Sequence, residues 1–362
     1  MAELNVRSSG VEDGGGLAAN PMKVAVGFRI QDGPWGGGNR FVVALIAALR
    51  ARGDTVCHTL EDADVDLILL MDPRWRNPLV TFTAGAILRY LRLTNPRALV
   101  VHRINECDER KNTRHMNSLL RRANYCADHT VFVGSWLREL PVWQGGPNAR
   151  SSVITNGADP AIFHPRGLRP WSGEGPFKLV THHWGGNWMK GFDIYQRLDE
   201  MMAEPRWKGR IEFTYVGNLP RGFSFRNAKY VPPLDGLALA DELRSHHAYV
   251  TASINEPGGN HQNEGALCGL PLLYRRSGCL PEYCDGFGVS FDETDFVVRL
   301  QQLIEQYDPL VALMPGYPHT SKHTCESYLA LFDALIKSRD QIVGSRRLFR
   351  NPWLLLRNQI PF

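Results

Sequence analysis

The chain has 362 residues, 43% hydrophobic and 22% charged, which is ordinary globular usage and too much chain for one small core, so two domains are expected. Its 41 basic and 37 acidic residues leave a formal charge of +4, too balanced for a protein that coats nucleic acid or lies wholly on a membrane. The longest apolar run in a strand-like segment, Leu67 to Met71, falls far short of the roughly 18 residues a membrane-spanning helix needs.

Residues 1 to 21 have no apolar core and carry Glu3, Glu12 and Asp13, so they read as a disordered extension and not as a secretory signal. The seven cysteines are an odd number without a Cys-x-x-Cys pair, which predicts free thiols in a reducing compartment and a cytoplasmic location.

From Lys23 the run KVAVGF, a glycine loop and GNRFVVALIAALRARG form a strand, a turn and a helix that stops at Gly53. TVCHTL, VDLILLM, ALVVHR, HTVFVGS and SSVITNG follow, most of them apolar on both faces, as strands of a parallel sheet buried between helices are. Residues 22 to 165 are expected to form one Rossmann-like domain. Asp64-Val65-Asp66 resembles a metal-binding acidic pair, yet it stands at the N-terminal end of its strand, whereas ligands gather at the C-terminal ends. No catalytic metal is expected, and no histidine or cysteine spacing suits zinc.

The periodicity collapses in HPRGLRPWSGEGPF, the expected domain boundary. A second series then runs FKLVTHHW, GFDIYQRLDEMMAE, IEFTYVG, AKYVPPL, LADELRSHHA, AYVTASI, NHQNEGALCG and PLLYR, giving a second Rossmann-like domain over 166 to 340. The fold class is therefore α/β, two doubly wound parallel sheets facing a cleft. The tail from 341 to 362 mixes Arg346, Arg347, Arg350 and Arg357 with Leu348, Phe349 and Trp353. It is expected to pack back on the first domain, and a peripheral contact with an anionic membrane is the other reading.

The segment EPGGNHQNEGALCGLP carries the strongest chemical signal. Gly258 and Gly259 after a strand end let backbone amides approach a ligand, and a helix starting near Asn260 aims its positive end at the same spot. Glu256 and Glu264, with seven residues between them, can accept hydrogen bonds from hydroxyls on two parts of one ligand. Two unrelated glutamates on a solvated helix face are the plainer alternative. In THHWGGNWMKGF, Lys190 stands just before a helix, where a positive point charge suits phosphate. The tandem His182 and His183 read equally as a strand end with one ring buried and one exposed.

Glu256, Glu264 and the Gly-Leu-Pro at 269 to 271 resemble the motif of the retaining GT-B glycosyltransferases usually called family 4. The resemblance extends over most of residues 22 to 340, through RANYCADHTVFVGSWLREL, NGADPAIFHP and SGCLPEYC. It implies transfer of a sugar from a nucleotide-sugar, UDP- or GDP-linked, to a hydroxyl of a glycan or lipid-linked glycan, with retained anomeric configuration. The nucleotide-sugar is a co-substrate, and no other cofactor is implied. It places Glu256 at the donor sugar and Glu264 on the ribose, with Lys190 on the diphosphate and His102 facing the sugar. It places Gly37 and Gly38 of the first glycine loop, and Glu282 near the base, on the donor side. His182, His183 or the backbone amides from Gly185 to Asn187 are the candidates for the remaining phosphate contacts. Arg103, Asn105 and Glu106 fall where acceptors are recognised.

This chain departs from the family at Gly185, where an arginine five residues before the lysine is expected. A nucleotide-sugar-binding protein without turnover, or a partner subunit of a transferase, is therefore the alternative reading. A dinucleotide-dependent oxidoreductase is disfavoured because GPWGGGNR lacks the G-x-G-x-x-G spacing.

Overall fold

The computed structural model describes residues 21–31, 37–145 and 149–360. The expected N-terminal extension and Gly33 to Gly36 of the first glycine loop lie outside the described residues.

The first sheet contains β1 (Lys23–Val26), β2 (Thr55–Cys57), β3 (Leu67–Leu70), β4 (Leu99–Ile104), β5 (His129–Phe132) and β6 (Ser151–Val153). They are all parallel in the order β2-β1-β3-β4-β5-β6. Its helices are α1 (Gly37–Arg52), α2 (Ala84–Leu93) and α3 (Met116–Asn124). The doubled apolar character of the strands is used on both faces. Leu67 and Leu69 of β3 pack with Phe41, Leu45 and Leu49 of α1, while Ile68 and Leu70 pack with Ile87 and Leu91 of α2.

The second sheet contains β7 (Phe177–His183), β8 (Ile211–Gly217), β9 (Lys229–Val231), β10 (Ala248–Thr251), β11 (Leu272–Arg275) and β12 (Gly288–Phe291). These too are parallel, ordered β12-β11-β10-β7-β8-β9. Around it lie α4 (Phe192–Met201), α5 (Gly236–Arg244), α6 (His261–Leu267), α7 (Leu280–Cys284), α8 (Phe296–Glu305) and α9 (Tyr307–Leu313). Strand order reverses between β1 and β3 in one sheet and between β7 and β10 in the other, the places where open α/β sheets leave a crevice for ligands.

The chain then returns to the first domain through α10 (Ser321–Lys337), α11 (Arg339–Ser345) and α12 (Pro352–Gln359). This corrects the expected boundary at 340. Cys325, Tyr328, Phe332 and Leu335 of α10 join the core beside α1 and the first sheet, because their helical spacing presents an apolar stripe to Phe41 and Leu45. The two interdomain passages run side by side, paired at Ala158 and Thr320, with Ala158 N donating to His319 O at 3.2 Å and Ser321 N to Ala158 O at 2.8 Å. A side chain at Gly157 would collide with the Thr320 backbone, its Cβ only 2.1 Å from the carbonyl carbon. At the tail, Gln359 Nε2 donates to Gly85 O of α2 at 3.3 Å, while Trp353, Leu356 and Ile360 remain exposed. Among the described residues no helix is long and apolar enough to cross a membrane.

Candidate active site

A cavity of about 360 Å³ lies between the domains, at the C-terminal ends of β7, β8 and β10. It gathers Gly37, Gly38, Arg103 and Asn105 from the first domain with His183, Gly185, Asn187, Lys190, Glu256, Gly258, Gly259, Asn260 and Glu264 from the second. Residues more than 200 positions apart in sequence thus meet at one site.

Lys190 reaches the site from the turn between β7 and α4. Asn187 shapes that turn, its Oδ1 accepting from Met189 N at 2.7 Å, and Gly191 closes it with φ of 97°. Asn255, in the left-handed region with φ of 53°, redirects the chain after β10 and presents Glu256. Lys190 Nζ donates to Glu256 Oε2, while Arg110 Nε stands 3.9 Å from Oε1. Burial alone would raise the Glu256 carboxyl, but Lys190 and Arg110 outweigh it and hold the acid well below the usual carboxylate range. The group is a buried carboxylate between two cations.

Glu264, on the first turn of α6, makes a similar arrangement. His182 Nε2 lies 2.6 Å from its Oε2, Arg40 donates to its Oε1, and Arg40 also bonds Asp235. Burial again pushes this acid up, and His182 with Arg40 brings it below its ordinary value. The tandem histidines thus divide their work, though both are buried. Both border the cavity, His182 bonded to Glu264 and His183 with its Nε2 on Tyr195 OH at 2.7 Å. Burial and neighbouring cations hold His183 well below its usual range, so it is neutral.

Gly258 is needed for the approach of the two domains as well as for the cavity. A Cβ there would fall 2.6 Å from Val133 Cγ2, and its carbonyl accepts from Asn156 Nδ2 at 2.6 Å. Asn156 also accepts from Arg103 Nη2 at 2.7 Å, and the Arg103 guanidinium sits 4.2 Å from the centroid of Phe41.

Three expected residues lie elsewhere. His102 is fully buried within β4 and does not line the cavity; Asn124 Nδ2 is 3.1 Å from its Nδ1, and burial drives its pKa to about 3. Its ring lies against Asn124 at the end of α3 and not in the cleft. Glu282 also lies off the cavity, its Oε2 accepting from Ser135 N at 2.6 Å across the domain interface. Glu106 stands behind the cavity wall and accepts from Arg110 at 3.0 Å and Lys111 at 3.3 Å.

Conversely, Arg40, Arg110, Lys111, Asn156 and His261 border the cavity and were not assigned roles by the sequence motifs, and His182, a candidate phosphate contact, borders it too. Val216, Gly217, Pro233, Leu234 and Leu239 add a less polar corner beyond β8. A weak signal for that corner existed: it follows the C-terminal ends of β8 and β9, where ligands of such sheets collect. Asp64 and Asp66 are far from this arrangement in role: Asp64 accepts from Lys23 Nζ at 2.7 Å and Asp66 from Arg339 Nη2 at 2.6 Å. Among the described residues no group of three or more His, Cys, Asp or Glu is placed to hold a metal ion.

No protein-family model matches the chain, and no curated protein matches it. Solved structures do. A glycosyltransferase from Rickettsia africae superposes with a TM-score of 0.61 at 13% identity, over 88% of this chain and 99% of that one. Anabaena HepE in complex with UDP and glucose gives 0.60 at 12% identity, over 87% and 100%. A UDP-forming α,α-trehalose-phosphate synthase from Burkholderia xenovorans gives 0.54 at 12% identity, over 84% and 78%. The two six-stranded parallel sheets and the cleft between them are those of the GT-B fold.

Proposed function

We propose that the protein is a glycosyltransferase that moves a sugar from a nucleotide-sugar to a hydroxyl of a glycan or lipid-linked glycan, with retention and without a catalytic metal. The observation that carries the reading is the pair of buried carboxylates, Glu256 and Glu264, each charge-paired and both facing one interdomain cavity at the strand-order reversal. The resemblance of these residues to family 4 supports it, as does a structural neighbour, Anabaena HepE, whose crystal holds UDP and glucose.

In this reading the base lies in the corner of Leu234 and Leu239, and Glu264 accepts the ribose hydroxyls. Lys190 and the backbone of Gly258 and Gly259 face the diphosphate, while Glu256 orients the sugar. The bond between the anomeric carbon and the phosphate oxygen breaks, its electrons leaving on the diphosphate. The acceptor oxygen bonds the same carbon, and its proton passes to the departing phosphate. Stabilising the charge that develops on that phosphate is the main catalytic demand, with each well-placed donor in a dry site contributing on the order of 3 kcal/mol. The positive side chains then supply the charge that a metal supplies in other designs.

The test is turnover. Purified protein is incubated with UDP-, GDP- and ADP-sugars and a panel of glycan acceptors, and the anomeric configuration of any product is read by NMR. Transfer that collapses in Lys190→Ala and Glu256→Ala supports the reading; inversion at the anomeric carbon overturns retention. Gly185 favours one second reading: binding of every tested donor without turnover would make the protein a nucleotide-sugar-binding partner subunit. The exposed Trp353, Leu356 and Ile360 with Arg357 form the surface proposed to touch an anionic membrane from the cytoplasmic side.

A further inference from the structure

Among the described residues lining the cavity, the second domain supplies one lysine or arginine, Lys190, and that ammonium is bonded to Glu256. His183 and His261 are held neutral, chiefly by burial. A departing diphosphate needs more positive charge than one paired ammonium provides. At Gly185 the second domain leaves space: a Cβ there would meet only Lys190 Cε, at 4.0 Å.

The first domain brings a cation to the same carboxylate. Arg110 Nε lies 3.9 Å from Glu256 Oε1 while Lys190 holds Oε2, so the two side chains converge from opposite walls of the cleft. Arg110 is anchored through Nη1 on Glu106, yet among the described residues its buried Nε has no hydrogen-bond partner. The loop that carries it is a built one. Asp108 accepts from Thr113 Oγ1 at 2.5 Å and from the backbone of His115, Met116 and Asn117 at the start of α3. Asn255 Nδ2 donates across the interface to Glu109 O at 3.2 Å, which docks the loop on the residue preceding Glu256.

We infer that Arg110 of the first domain and Lys190 of the second together hold the donor diphosphate, Arg110 supplying the charge that Gly185 omits. The inference rests on the glycosyltransferase reading for its ligand. It goes further in dividing the phosphate site between the domains, so that its full charge exists only when the cleft walls stand together.

The test is calorimetry on the full chain with UDP, GDP and ADP, and with uridine, guanosine and adenosine as phosphate-free controls. Arg110→Gln is expected to weaken the diphosphate that binds by about tenfold or more, without changing the matching nucleoside. Arg110→Lys should retain part of the affinity, and Arg110→Gln with Gly185→Arg should regain most of it, by restoring an arginine beside Lys190. Unchanged diphosphate affinity in Arg110→Gln overturns the inference. So does an equal loss of nucleoside and diphosphate in that variant, since a loop that merely packs would produce it. Wild-type protein that binds none of the diphosphates overturns both this inference and the reading beneath it. Diphosphate binding without sugar transfer sinks only the catalytic reading, because the Arg110 comparison is made on binding alone.

Discussion

His182 Nε2 lies 2.6 Å from Glu264 Oε2, and Arg40 of the opposite domain takes the other oxygen. One carboxylate therefore ties β7, α6 and α1 together. Glu264→Gln keeps the shape but leaves two donors facing a neutral amide. It is expected to cost about 1–3 kcal/mol in urea denaturation, the usual penalty for an unsatisfied buried polar group, and to weaken nucleotide binding in calorimetry.

Removing Lys190 leaves Glu256 buried with Arg110 Nε 3.9 Å away. Lys190→Met should destabilise the protein by about 3 kcal/mol, whereas Lys190→Met combined with Glu256→Gln should recover much of that loss, since no uncompensated charge remains. A double-mutant cycle read by chemical denaturation measures the difference; additive losses would show that the pair is not coupled.

Buried histidines make the fold sensitive to acid. Burial lowers His102 to about 3 and His129 and His246 to about 4, all from an ordinary value of 6.5. The native rings are neutral, so below 6.5 the unfolded chain binds protons that the native state does not. Stability is therefore full above 6.5 and falls as pH drops toward the native values, by about 1.4 kcal/mol per pH unit for each such ring. His102→Leu should reduce the slope of unfolding free energy between pH 6 and 5 by about one proton, whatever it does to stability at pH 7.

Gly191 has φ of 97°, and a Cβ there would lie 2.4 Å from the Cβ of Ala252. Gly191→Ala combines a left-handed penalty of about 1 kcal/mol with overpacking of about 1–3 kcal/mol. Because the turn also aims Lys190, donor affinity should fall along with the denaturation midpoint.

At Gly85 a side chain would enter the α12 backbone, its Cβ 2.3 Å from Asn358 O. Gly85→Val is expected to lift α12 from α2, with faster proteolysis of the tail as the readout. Co-sedimentation with vesicles of anionic lipid tests the membrane proposal separately: Trp353→Ser with Leu356→Ser should abolish binding and leave the denaturation midpoint unchanged.

The elements that carry Lys190, Glu256 and Glu264 were legible because each motif is local: a strand end, a short loop and a helix start within about twenty residues. The continuous apolar runs in VDLILLM and ALVVHR marked buried parallel strands for the same reason. His102 was not legible, since an apolar strand does not mark which of its residues leaves the sheet last. Arg40, Arg110 and Lys111 were missed because their place depends on how one domain meets the other, and no local period encodes that approach. The same reason hid α10: its stripe of Cys325, Tyr328 and Phe332 announces a helix with a buried face but not whose core it covers.

The paired passages at Ala158 and Thr320 bear on how the cleft can open. A single connecting strand can twist as well as bend. Two strands joined by backbone hydrogen bonds, with no room for a side chain at Gly157, must bend together. Like two pins on one door, they would confine any opening of the cleft to a single arc, along which Arg110 and Lys190 part and meet in one register.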